Sequence, residues 1–184
     1  MAKMMEAVKL LEYSQYLRHR YLETLGKLPW DEVVKDRGAS FNSLRNIYLH
    51  SVSVLDFNAN YVIQGDANYP RINYDDYDSI EKINRYLEQV ESKANAYLSN
   101  ATLVELSRKV DRKRSIDGST FTVTVEDILI DSFQEETHHR GELLGLLWQM
   151  DVSPPHVGWI QYLHSLTPRC PAEGSSVLCN LRAR

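Results

Sequence analysis

The run Glu135-Glu136-Thr137-His138-His139-Arg140-Gly141-Glu142 holds the residues best suited to chemistry. At ~100° per residue, Val125, Ile128, Leu129, Leu143, Leu146, Leu147 and Met150 gather on one face of a helix. His139 falls within that face. Glu135 lies one turn earlier at its edge, and Glu136 lies near its centre. A buried imidazole and a buried carboxylate each need a partner. A divalent metal would satisfy both.

A second histidine intrudes on an apolar face far upstream. Residues 40–64 read as an amphipathic helix, with Leu44, Ile47, Val54, Phe57 and Tyr61 on one side and His50 among them. Two helices that each bring an imidazole toward the core can share one ion. Histidine and carboxylate ligands with an open position are the usual recipe for a catalytic divalent site. A single histidine on an apolar face is more often a hydrogen-bonded core residue. From the residues alone, both readings stand.

Four long helices have to position these groups. Their stripes predict helices over residues 3–28, 40–64, 79–100 and 124–150. The first carries Val8, Leu11, Leu22 and Leu25 and stops at Gly26 to Pro29, with His19 at the surface and Trp30 anchoring the loop beyond. Ser40 is the expected N-cap of the second. The third carries Ile83, Leu87, Val90, Ala94 and Leu98. Asp117-Gly118 marks a tight turn between alternating residues, so a short hairpin is expected before Thr124. Asp127 is placed to cap the last long helix, which Pro154-Pro155 stops. A terminal helix over 158–165 is expected to pack back through Trp159 and Leu163. Between helices two and three, residues 66–78 lack any period, and Tyr69, Tyr74 and Tyr77 there could wall a pocket.

The chain of 184 residues suffices for one domain, read as residues 1–166 followed by a distinct tail over 167–184. A net charge of -4 without a long basic stretch argues against nucleic-acid binding. The apolar run Leu143 to Met150 is too short to span a membrane. Cys170 and Cys179, both in the tail, make no disulfide framework. No signal-peptide core is evident from Met1 to Arg20, so a cytoplasmic location is expected.

The order of these parts resembles the DinB family, also called DinB/YfiT-like, over about residues 11–163. The resemblance rests on the Leu28-Pro29 exit and on the Ser-Phe-x-Ser-Leu-Arg-x-x-x-x-His opening from Ser40 to His50. It rests most on the His-x-x-x-His-Arg-Gly-Glu/Gln pattern of the last long helix, followed by the Pro-Pro exit. It implies an all-α four-helix bundle with a divalent metal, often nickel or zinc, on three histidines. Carried over by position, the ligands are His50, Glu135 and His139. Glu135 stands where the family has histidine. A two-histidine, one-carboxylate set is harder and more anionic, admitting manganese or iron as well as nickel or zinc. His138, ~100° from His139 around the helix, falls outside the set. Arg140 is expected to support the site, and Gly141 to allow close helix approach.

The resemblance also implies chemistry. Relatives include metal-dependent transferases that use a low-molecular-weight thiol, such as bacillithiol or mycothiol, on a small electrophile. Glu136 is then a base, an alternative ligand, or an ion-pair partner of Arg45 or Arg140. A homodimer is implied too, for which Trp159 and Tyr162 would offer exposed aromatics. Two other functions compete. A di-iron carboxylate bundle needs Glu-x-x-His on two helices, and the motif occurs only within 135–139. A non-catalytic bundle would serve in stress response through a dimer or partner.

Overall fold

The computed structural model describes residues 2–66, 68–114, 116–156 and 158–166. The tail reading over 167–184, with both cysteines, lies outside the described residues.

Four long helices form the bundle: α1 (Ala2–Leu25), α3 (Leu44–Leu55), α4 (Ile80–Leu98) and α6 (Val125–Gln149). Short helices α2 (Trp30–Val34), α5 (Leu103–Leu106) and α7 (Trp159–Leu166) fill the connections. Strands β1 (Lys109–Lys113) and β2 (Thr120–Thr124) form the expected antiparallel hairpin, with Val110 opposite Val123. Gly118 supplies the left-handed turn residue at φ 70°. Leu25, Leu44, Ile47, Val52, Ile83, Leu87 and Leu147 are fully or nearly fully buried in one central core. Leu11, Leu22 and Leu25 are buried as expected, while the side chain of Val8 lies outside the described residues.

Local chemistry explains most boundaries. Thr124 and Asp127 make a reciprocal capping box at the start of α6, worth about 1 kcal/mol. Ser79 caps α4 by accepting from the Lys82 amide. The cap of α3 is Ser43, not Ser40, and its side chain accepts from the Asn46 amide. Ser40 is held elsewhere, in the turn that precedes the helix.

The second long helix differs from a uniform 40–64 helix in a further way. From Asp56 to Val62 the backbone is π-helical, which inserts a residue into the period. Phe57, expected on the core face, lies two residues past buried Leu55, on the same side as Val54, and is 36% exposed. Asp56, Asn58, Ala59 and Asn60 are turned in. Tyr61, one turn on from Phe57, is half-buried and packs edge-on against Tyr69.

Two other expectations are corrected. Tyr162 and Trp159 do not form an exposed aromatic patch. They pack on Tyr13 of α1 at ring-centroid distances of 5.2 and 5.1 Å, and Tyr162 is buried. Gly141 does not mediate a close approach, because a Cβ there would meet nothing within 4 Å.

Opposite α1, the centre of α6 is polar. Arg18 donates from Nη1 to both oxygens of Glu136 at 2.8 Å and from Nε to Glu91 of α4 at 2.8 Å. Arg140 donates to Glu136 at 3.3 Å and to Ser14 at 3.2 Å. All four charged groups are buried. Two cations face two anions, so the network is internally neutral and ties three helices together. His19 is half exposed and reaches the outer oxygen of Glu91 at 2.8 Å.

Removing one member leaves a buried charge unmatched. Arg18→Ala is expected to destabilise the fold by roughly 3–5 kcal/mol, read as a shift in the urea midpoint. Arg20→Ala, which breaks only an exposed pair with Glu23, is expected to stay within about 0.5 kcal/mol of wild type.

Candidate metal centre

Residues Glu135, His139 and Glu142 recur at i, i+4 and i+7, so they form one stripe along α6. It runs beside the stripe of Glu136, Arg140 and Leu143 that faces α1. The first stripe faces α3 and the turn before it. There the structure brings His50, Glu135 and His139 together, with one ligand atom from each within 4.8 Å of the others. The Nε2 atom of His139 lies 3.7 Å from Oε2 of Glu135. The rings of His50 and His139 meet edge to face, 4.6 Å between centroids.

The donor set fits a divalent ion. At ~2.1 Å bonds in a tetrahedron, ligand atoms sit ~3.4 Å apart, so the three need to draw in by little more than ~1 Å. Glu135 is half exposed and free to swing. His139 is buried and oriented. Three protein ligands also leave coordination positions open, which is the hallmark of a catalytic site rather than a structural one.

The support behind His139 is the part that sequence reasoning missed. Nδ1 of His139 lies 3.3 Å from Oε2 of Glu142. With the Nδ1 proton donated to that carboxylate, the Nε2 lone pair points toward Glu135 and His50. Glu142 is itself held: the Ser40 amide donates to Oε1 at 2.7 Å and the Ser40 hydroxyl donates to Oε2 at 2.6 Å. Burial pushes the Glu142 carboxyl up, but the two Ser40 donors and His139 outweigh it and hold it below the ordinary range. Glu142 therefore stays an acceptor. The signal lies in the His-Arg-Gly-Glu/Gln pattern, whose last position is Glu142.

The turn that presents Ser40 also places an aromatic wall. Asn42 adopts φ 69° and its amide donates to the Ala39 carbonyl at 3.0 Å, closing residues 39–42. Asparagine tolerates this left-handed conformation better than most residues. Phe41 of this turn stacks on His50 at 3.9 Å between centroids and 19° between planes, and it meets His139 at 5.4 Å. Burial, with the nearby His139 second, pushes the His50 pKa down to about 4. His50 is thus a neutral imidazole at pH 7, the form that ligates metal.

The remaining candidates fall away from the centre. His138 is exposed. Glu136 is consumed by Arg18 and Arg140, which removes it as base or ligand. Arg45, the other partner weighed for Glu136, pairs instead with Asp75 at 2.8 Å. Arg140 belongs to the network facing α1 rather than to this site.

A cavity of about 410 Å³ opens beside His50, lined also by Ser53, Val54, Phe57, Tyr69, Ile72 and Tyr74. Tyr69 and Tyr74 thus wall a pocket as expected. Tyr77 lies away from this cavity, lining a separate one where it packs on Tyr86 at 5.2 Å between centroids.

Two outcomes follow. Glu142→Ala is expected to weaken divalent-ion affinity by roughly 10–100-fold with the helix content unchanged, measured by chelator competition. In metal-stripped protein, the unfolded chain protonates His50 near its ordinary value of 6.5 but the native state does so only near 4. The unfolded state then binds more protons across that window, so stability falls as pH drops from 6.5 toward 4. His50→Leu should flatten that part of the profile of denaturation midpoint against pH.

No curated protein matches the chain. A profile described as DinB family matches residues 1–170, nearly the whole length. The helical bundle agrees with that match. The chain belongs to the DinB family.

Proposed function

We propose that this protein is a divalent-metal-dependent transferase that uses a low-molecular-weight thiol on a small electrophile, with His50, Glu135 and His139 as the metal ligands. One observation carries the reading. Two imidazoles and a carboxylate converge beside a cavity, and one imidazole is locked by Glu142 and Ser40. A support of this kind has a purpose if Nε2 of His139 must face a ligand position. A divalent ion held there would lower the pKa of a thiol or water at an open position. The mixed donor set suits nickel, zinc, manganese or iron.

The protein's own groups do the rest. Phe41 covers one side of His50 and excludes water from it. Glu142 keeps His139 in one tautomer throughout. Glu135, half exposed, is the ligand best placed to shift as substrate arrives. The dimer implied by the family resemblance rests on that resemblance alone, since Trp159 and Tyr162 are used within the chain. Among the described residues, no helix is long and apolar enough to cross a membrane.

The test is a panel of thiols and electrophiles assayed with each metal-loaded form. Metal-dependent turnover is expected, lost together with metal binding in His139→Ala and retained in His138→Ala. Stoichiometric metal without thiol-dependent turnover would overturn the transferase reading and favour a non-catalytic metal-binding bundle that acts through a dimer or partner.

A further inference from the structure

The cavity beside His50 is built for more than water. Its volume of about 410 Å³ lies within the range of small-molecule sites. Val54, Phe57, Tyr69, Ile72 and Tyr74 make most of its wall. The polar groups there are mostly spent. The Ser53 hydroxyl donates to the His50 carbonyl at 2.8 Å, and the Tyr69 hydroxyl donates to the Ser53 carbonyl at 3.3 Å. Arg71, the cationic residue of the lining, is exposed and has no ion pair or hydrogen bond among the described residues. Arg45, by contrast, is already matched by Asp75.

We propose that this cavity binds a small aromatic or branched apolar molecule carrying a carboxylate, with the Arg71 guanidinium as its countercharge. The apolar wall accounts for the body of the ligand, since burying it removes apolar surface from water. The planar fork of Arg71 accounts for the anionic end, because guanidinium pairs with carboxylate through two parallel hydrogen bonds. The proposal builds on the reading of His50 as a metal ligand. His50 is common to the cavity wall and the ligand set, so a molecule filling the cavity has one end beside that set. The same anionic chemistry serves a thiol cosubstrate or the electrophile.

The experiment titrates phenylacetate and its neutral counterpart phenylacetamide into metal-stripped and zinc-loaded protein, followed by NMR shifts of the tyrosine rings. The metal-stripped arm separates Arg71 from direct coordination of the carboxylate. We expect phenylacetate to bind roughly tenfold or more tightly than the amide in both forms. Arg71→Ala should abolish the preference and Arg71→Lys should keep part of it, with zinc content unchanged in both. A preference seen only with zinc, and indifferent to Arg71→Ala, would overturn the Arg71 assignment while leaving the metal reading intact. A preference present without any zinc binding would do the reverse. Equal binding of acid and amide would also overturn the proposal. On cobalt-loaded protein, 4-mercaptophenylacetate distinguishes the sources. A sulfur-to-cobalt absorption band that weakens in Arg71→Ala assigns the cavity to the thiol. An Arg71-dependent displacement of phenylacetate without that band assigns it to the electrophile.

Discussion

A polar group buried on α6 must find a partner, and that constraint organises the bundle. Within eight residues the helix places Glu135, Glu136, His139, Arg140 and Glu142 among apolar neighbours, and three of these five are buried. Leaving any buried one unmatched would cost a large part of a typical domain's stability. The fold resolves the problem in two directions. Glu136 and Arg140 turn toward α1 and α4, where Arg18, Glu91 and Ser14 complete a neutral network. His139 turns toward α3, with Glu142 and Ser40 behind it and Glu135 and His50 before it.

The two solutions differ in kind. The network facing α1 is closed. Every charge has an opposite within hydrogen-bond distance. The cluster facing α3 is open. His139 is satisfied on its Nδ1 side, while on its Nε2 side the nearest carboxylate stands at 3.7 Å, too far for a hydrogen bond. An arrangement held rigidly on one side and left incomplete on the other is what a ligand site requires. The covering Phe41 and the adjacent cavity place that incomplete side next to space a small molecule can fill.

How much of this could be read from the residues follows from periodicity. The 3.6-residue stripe of α6 located His139 and Glu135, and the caps at Thr124 and Asp127 fixed where that helix begins. His50 was found in the same way, although it sits half-buried against Phe41 rather than in the core. The stripe argument failed for Phe57, which was grouped with Leu44 and Ile47 but lies on the Val54 side, two residues from buried Leu55. The π-helical segment from Asp56 changes the period beyond it, and no propensity announces that change. Arg18 drew no reading from its neighbours, because its buried partners lie 73 and 118 residues away. Ser40 resembled a cap because serine three residues ahead, at Ser43, does the same job equally well. Contacts between distant segments, which give Glu142 and Ser40 their roles, are invisible to any local pattern.

The central claim is that His50, Glu135 and His139 bind one ion, and X-ray absorption on nickel-loaded protein tests it most directly. The account predicts one nickel per chain with two imidazoles and a carboxylate oxygen in the inner shell, reduced to one imidazole in His50→Ala. An inner shell lacking imidazole, or one that His50→Ala leaves unchanged, would contradict it.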